Sequence, residues 1–279
     1  MEILTAKTAG FCFGVKRAVD FVYGETKSGE KPIYTFGPII HNKEVVKEME
    51  EMGVSVLPEE VPSEGNGTVI IRSHGVSREV YEGLERAGYK VCDATCPFVK
   101  KIHRIVSEKS AEGYNILIAG DPVHPEVKGI IGWSRGPVMA ISEPDEIDRI
   151  PEDFLQKTCL VAQTTFNYNK FKLFVAKLQK KGYDISVYNS ICNATKERQA
   201  EARQLSSQTD CMIVVGDVGS SNTQKLFEIC KSECPNTHLV QTADDLDVSW
   251  LAGAKRVGIT AGASTPHKII EEVQTKCQI

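Results

Sequence analysis

The sequence predicts an α/β protein made of three similar modules with mainly parallel sheets. Three observations carry that expectation. Apolar runs end in polar loops, amphipathic segments lie between them, and both recur at a step of roughly ninety residues, a common size for a small domain.

The runs are "IYTFGPIIHN" (33–42), "VIIRSHGV" (69–76), "ILIAGDPVHPEVKG" (116–129), "LVAQTT" (160–165), "MIVVGDVGSSNT" (212–223) and "VGITAGAST" (257–265). Each reads as a buried strand opening into a loop of glycine, serine or histidine. Between them, "NKEVVKEMEEMG", "REVYEGLERAG", "VKKIHRIVSEKSAEG", "NKFKLFVAKLQKKG" and "TKERQAEARQLSSQ" have helical periodicity, and four of the five stop at glycine. Taken in pairs, the runs start 83 and 96 residues apart (33, 116, 212) and 91 and 97 apart (69, 160, 257). Cys12, Cys96 and Cys192 keep the same step, 84 and 96 residues. The segments share pattern and little identity, so the repeat is structural. It predicts modules over 14–96, 97–191 and 192–279, joined by the N-terminal segment 1–13.

At 279 residues, 41% hydrophobic and 25% charged, the composition is that of an ordinary globular protein. A formal net charge of −4 gives no global field toward nucleic acid or anionic membranes, so an anionic ligand must be held by local groups. The start, "MEILTAKTAG", lacks a basic leader, and no apolar run is long enough to span a bilayer. A cytoplasmic protein is expected, with no nucleic-acid and no membrane partner.

Nine cysteines, an odd number spread along the chain, argue for reduced thiols rather than a disulfide framework. Cys159 and Cys211 open apolar runs and read as small buried residues. Cys230 and Cys234 are one helical turn apart, without the second pair a zinc knuckle needs. Cys12, Cys96 and Cys192 differ. They sit in the turn-like settings "GFCFG", "DATCPF" and "NSICNAT", where the glycines around Cys12 let the backbone fold closely against a bulky group. If the modules meet about a pseudo-threefold axis, one thiolate from each reaches its centre. Three thiolates are one short of a closed structural zinc site, and they suit an iron–sulfur cubane whose fourth iron is open to substrate. Cys92, in "CDATC", reads either as a fourth ligand or as a buried residue.

His41, His74 and His124 all follow strand-like runs, whereas His103, His238 and His267 read as helix or surface residues. With "GSSN" (Ser220, Ser221, Asn222) and "GAST" (Ser264), those three form a set of donors for phosphate oxygens at loops beyond strand ends. Each serine motif alone also reads as an ordinary helix cap. "HPEVKG" places Glu126 two residues after His124, either as an enclosed proton donor or as a helix-start glutamate. "AQTT" offers Thr164 and Thr165 as hydroxyl relays.

Together "GFCFGV", "HN" at 41, "SHGV", "DATCP", "HPEV", "QTT", "ICNAT", "SSN" and "TAGAS" resemble, in order and spacing, the motifs of the 4-hydroxy-3-methylbut-2-enyl diphosphate reductase family. The resemblance runs from Cys12 to Ser264. It implies a trefoil of three α/β domains around a 4Fe-4S cluster held by Cys12, Cys96 and Cys192. It implies that His41, His74, His124, Ser220, Asn222 and Ser264 grip the diphosphate, with Ser221 adjacent and Thr164 also at the substrate, and that Glu126 and Thr164 deliver protons in a catalytic set that includes His124. Reductive loss of the hydroxyl as water would give isopentenyl and dimethylallyl diphosphates, with electrons from a ferredoxin or flavodoxin. Phe13, Arg72 and Ala162 depart from residues common in that family, and none removes a matched ligand. A redox-neutral cluster hydratase, a cluster-carrying redox sensor and a metal-free sugar-nucleotide binder are the alternatives.

Overall fold

The computed structural model describes residues 1–278, the side chain of Asp184 excepted. In chain order the first elements are β1 (Glu2–Thr5), α1 (Phe13–Ser28), β2 (Ile33–Phe36), α2 (Lys43–Glu51), β3 (Val54–Leu57), β4 (Thr68–Ile71), α3 (Arg78–Arg86) and β5 (Lys90–Asp93). They are followed by α4 (Pro97–Ala111), β6 (Asn115–Ala119), α5 (Pro125–Ile131), β7 (Val138–Ile141), α6 (Glu152–Leu155), β8 (Lys157–Ala162), α7 (Tyr168–Lys180) and β9 (Asp184–Val187). The last are α8 (Asn193–Ser206), β10 (Cys211–Val215), α9 (Ser221–Glu233), β11 (Thr237–Val240), β12 (Arg256–Ala261) and α10 (His267–Lys276).

The strands form three four-stranded sheets in the orders β3-β2-β4-β5, β7-β6-β8-β9 and β1-β12-β10-β11, with every pairing parallel. The α/β class and its three similar parallel sheets are as the sequence predicts. The chain divides into two compact units: Met1–Lys16 with Ile40–Lys47 and Asn193–Ile279, and Arg17–Ile39 with Glu48–Cys192.

The first unit holds one sheet, covered on both faces. Ile213 and Val215 of β10 and Ile259 of β12 pack with Ile270 and Val273 of α10, while Met212 and Val214 face Leu226 and Cys230 of α9. The second unit holds the other two. In one, Leu117 and Leu160 lie side by side and pack on Phe171 and Phe174, and Ile118 and Val161 face Ile102 and Val106 on the opposite side. A parallel strand covered on both faces must be apolar at successive positions, which is why β6, β8 and β10 read as unbroken runs.

The parallel topology sends every strand out at the same end of its sheet, and crossover helices return the chain. The loops leaving the central strands therefore carry side chains that no ladder uses, where open parallel sheets bind ligands. Among the described residues, no helix is long and apolar enough to cross a membrane.

Candidate active site

Cys12, Cys96 and Cys192 share one local setting. Each stands immediately before a helix, α1, α4 or α8, and each is half-buried. The Lys16 and Lys100 amides donate to the Cys12 and Cys96 carbonyls at 2.9 and 3.0 Å, so both cysteines already take part in the first turn. None of the three helices has an acidic residue in that turn. The positive helix end thus faces the thiol, and at Cys12 the Val15 amide donates to the sulfur at 3.5 Å. The other cysteines sit elsewhere. Burial pushes the Cys159 and Cys211 thiols on β8 and β10 up to about 12, and that of Cys230 in α9 to about 11. Burial also raises the Cys92 thiol, which lies on β5. Cys230 and Cys234 lie in the apolar layer behind β10, an ordinary packing role.

Within the second unit the predicted residues form a connected set. The Cys96 amide donates to the Ser73 carbonyl at 3.0 Å, tying that cysteine to the loop that carries His74. The His74 and His124 rings meet edge to face with centroids 5.4 Å apart. His124 caps α5: its Nδ1 accepts the Glu126 amide at 3.1 Å, which leaves Nε2 as the protonated nitrogen of the neutral ring. The Glu126 carboxyl is 2% exposed and is met twice by Thr164, whose amide donates to Oε1 at 2.6 Å and whose hydroxyl donates to Oε2 at 2.7 Å. Thr164 in turn accepts the Cys192 amide on its carbonyl at 3.1 Å. Burial raises the Glu126 pKa to about 7, against the two Thr164 bonds that favour the carboxylate. An acid poised near neutrality can both give and recover a proton at working pH. Glu126 is also a first-turn residue of α5, so its carboxyl is both enclosed and at a helix start. Thr165 accepts a hydrogen bond from the Gln163 amide at 3.0 Å. Arg72 does not face this set as a free cation: it is buried, pairs with Glu59 at 2.8 Å, and lies against Gly37, where a Cβ would come within 2.3 Å of its Nη1.

The first unit supplies hydroxyls and amides. Ser220 caps α9 and accepts the Thr223 amide at 3.4 Å, and Ser221 is the first residue of that helix. The Ser264 hydroxyl donates to the His41 carbonyl at 2.9 Å and lies 3.5 Å from the Ser220 hydroxyl, while Asn42 Nδ2 donates to the Ser264 carbonyl at 3.0 Å. His41, Ser220 and Ser264 are thereby gathered. Asn222 is 4% exposed, and its Nδ2 has no hydrogen-bond partner among the described residues. A buried amide without an acceptor costs about 1–3 kcal/mol, which a bound anion at that position would offset. The loop of Cys12 is held here too: the Cys12 amide donates to the Ala263 carbonyl at 3.1 Å, and Gly10 adopts φ +105°.

Two supporting residues are not among those the sequence singles out. Arg198 of α8 is 3% exposed and reaches the carbonyls of Ala261 and Gly10 at 2.8 and 2.9 Å. One turn on, Glu201 accepts the Lys7 and Thr8 amides at 2.8 Å each. Together they fix the segment leading to Cys12. Their only sequence signal is a charged helix with little apolar content, which reads as a solvated face.

A profile of the family described as LytB protein matches residues 3–278. The chain belongs to the LytB protein family. Its curated relatives include the 4-hydroxy-3-methylbut-2-enyl diphosphate reductases of Geobacter sulfurreducens, 47% identical over 100% of this chain and 97% of the relative, and of Caldanaerobacter subterraneus, 46% identical over 99% and 96%. Among solved structures, the E-1-hydroxy-2-methyl-but-2-enyl-4-diphosphate reductase from Plasmodium falciparum superposes with a TM-score of 0.93 at 30% identity, over 98% of this chain and 87% of that one. An (E)-4-hydroxy-3-methyl-but-2-enyl diphosphate reductase, described as the terminal enzyme of the non-mevalonate pathway, matches with a TM-score of 0.71 at 41% identity, over 100% and 99%. The LytB match spans every motif on which the sequence resemblance rests.

Proposed function

We propose that the chain catalyses the reductive dehydroxylation of 4-hydroxy-3-methylbut-2-enyl diphosphate, giving isopentenyl and dimethylallyl diphosphates and water. The allylic C–O bond breaks, and two electrons and two protons are consumed. Membership of the LytB family and relatives named for this activity support the reaction class. The observation that carries the chemistry is the buried Glu126 carboxyl held by Thr164.

Cys12, Cys96 and Cys192 are the proposed ligands of a 4Fe-4S cluster. The donor set fits: three soft sulfurs, each at a helix start with no competing acid. Bound there, a cluster with one iron left unligated by protein supplies Lewis acidity and a route for electrons. His41, His74, His124, Ser220, Asn222 and Ser264 bind the diphosphate, with Ser221 beside them. The Asn222 amide and the protonated Nε2 of His124 are donors suited to phosphate oxygens. In its protonated form Glu126 donates from Oε2 to the Thr164 hydroxyl oxygen, reversing the bond made to the carboxylate, and the hydroxyl's own proton passes to the departing oxygen. Thr164 also orients the acid, because its amide pins the other carboxyl oxygen. A small soluble electron carrier, a ferredoxin or flavodoxin, provides the reducing equivalents.

The test is anaerobic purification with iron and sulfide analysis, followed by visible spectra with the allylic hydroxy diphosphate and a chemical reductant. Two electrons consumed per product, and a spectrum that responds to substrate, are expected. Turnover without a reductant would replace this reading with a redox-neutral hydratase. An iron-free active protein would remove the cluster from it.

A further inference from the structure

The loop after β4 carries His74 and is gripped from two sides within the second unit. On the α4 side, Gly75 is left-handed at φ +73° and lies on the His103 ring, so close that a Cβ would come within 2.7 Å of Cε1. On the α5 side, Gly129 approaches the Val76 backbone, and a Cβ at Gly132 would lie 2.1 Å from that of Ser77. Trp133 closes the gap. Its indole stacks on His103 with centroids 5.2 Å apart and planes 15° from parallel, and its Nε1–H donates to the Val76 carbonyl at 2.9 Å. The Arg78 guanidinium lies 5.1 Å from the indole centroid, and Nη2 of the same side chain donates to the Ser107 hydroxyl at 3.1 Å.

We infer that Trp133 is a positioning residue: by holding the Val76 carbonyl and stacking on His103, it sets His74 against His124 and so tunes affinity for the anionic end of the substrate. The inference rests on the reading that these two histidines bind diphosphate. The linkage is short. His124 caps α5, Trp133 lies two residues past its end, and Val76 is two residues from His74. A ring–ring spacing of 5.4 Å between the histidines is therefore fixed at both ends by one short helix and one hydrogen bond. The hydrogen bond and ring contacts of Trp133 go to Val76, His103 and Arg78 rather than to either proposed proton donor, so its effect should fall on binding and spare the chemical step.

The experiment titrates inorganic diphosphate calorimetrically into the cluster-loaded enzyme carrying Trp133→Ala, Trp133→Phe, His74→Ala or the double change Trp133→Ala with His74→Ala. Trp133→Ala is expected to weaken diphosphate binding about three- to tenfold, the worth of one buried hydrogen bond with its packing. KM should rise in parallel while kcat stays within about twofold, which marks loss of uniform binding. Trp133→Phe keeps the ring and loses the N–H, so it should fall between wild type and Trp133→Ala. In the His74→Ala background, Trp133→Ala should add nothing, because its effect passes through His74. Losses that add in the double variant, or wild-type affinity in Trp133→Ala, would overturn the inference. If Trp133→Ala does not fold, the same cycle with Trp133→Phe decides it. Wild-type affinity in His74→Ala would instead strike the proposed diphosphate site, and this inference with it.

Discussion

The loops of the two units carry different chemistry. Those of the second unit concentrate titratable groups, with Cys96, His74, His124, Glu126 and Cys192 joined through Ser73 and Thr164. Those of the first supply neutral donors, Ser220, Asn222 and Ser264, with Cys12 as the one proposed metal ligand and His41 bound through its backbone carbonyl. Proton delivery needs a group whose charge can change, whereas a hydroxyl or amide can hold an anion without changing charge. The same sheet topology serves both because its strand ends leave the loop residues unconstrained. Changes to Glu126 and Thr164 of the second unit should therefore strike turnover, and changes to the neutral donors of the first should strike affinity.

The largest expected effect breaks the comparison at its metal ligands. Cys192→Ser should leave the protein without a full complement of iron and abolish turnover, as read by iron analysis and visible absorption. An intact cluster spectrum would remove Cys192 from the ligand set. The next largest is Glu126→Gln, which preserves shape and removes the proton. A positioned acid contributes about 10²–10⁴-fold, so kcat should fall by that order while diphosphate affinity holds. Unchanged turnover would take Glu126 out of the mechanism.

Glu126 also makes a prediction about stability. Its folded pKa of about 7 lies above the ordinary 4.5 for the unfolded chain, so folding favours the protonated form. Stability from this group is fully present below pH 4.5 and is lost as pH rises through 7, by about 3 kcal/mol at alkaline pH. Glu126→Gln, which never ionises, should then unfold at a higher temperature than wild type at pH 8, and the gap should narrow toward pH 5. A gap that does not change with pH would mean the carboxyl is not held neutral. The same substitution that removes turnover is thus expected to stabilise the fold.

How much of this is legible in the sequence follows from burial. The six runs quoted at the outset correspond to β2, β4, β6, β8, β10 and β12, which are the two central strands of each sheet. The strands that escape are the edges, β1, β3, β5, β7, β9 and β11. β3 reads "VSVL" with two exposed residues, and β5 reads "KVCD", too polar to stand out. The cysteine, histidine and serine motifs are legible because their residue types are unusual in loops at that spacing. Arg198 and Glu201 are not, because burial of a charge on backbone partners leaves no trace in composition. Trp133 escapes for the same reason: one aromatic residue after a helix reads as packing until its partner carbonyl is seen.

The smallest effect sharpens the comparison from the neutral side. Asn222→Ala removes a buried amide whose Nδ2 has no partner among the described residues, so no protein hydrogen bond from that nitrogen is lost. An ordinary buried asparagine would cost stability on truncation, because its partners would be left unsatisfied. Here the two effects separate. The melting temperature should stay within about 2 °C of wild type, under 1 kcal/mol for a chain of this size. Affinity for diphosphate should weaken about tenfold, the worth of a hydrogen bond to a charged group. kcat at saturating substrate should hold, since Glu126 and Thr164 are untouched. A large drop in melting temperature with affinity intact would make Asn222 a packing residue and leave Ser220, Ser264 and the histidines to hold the anion.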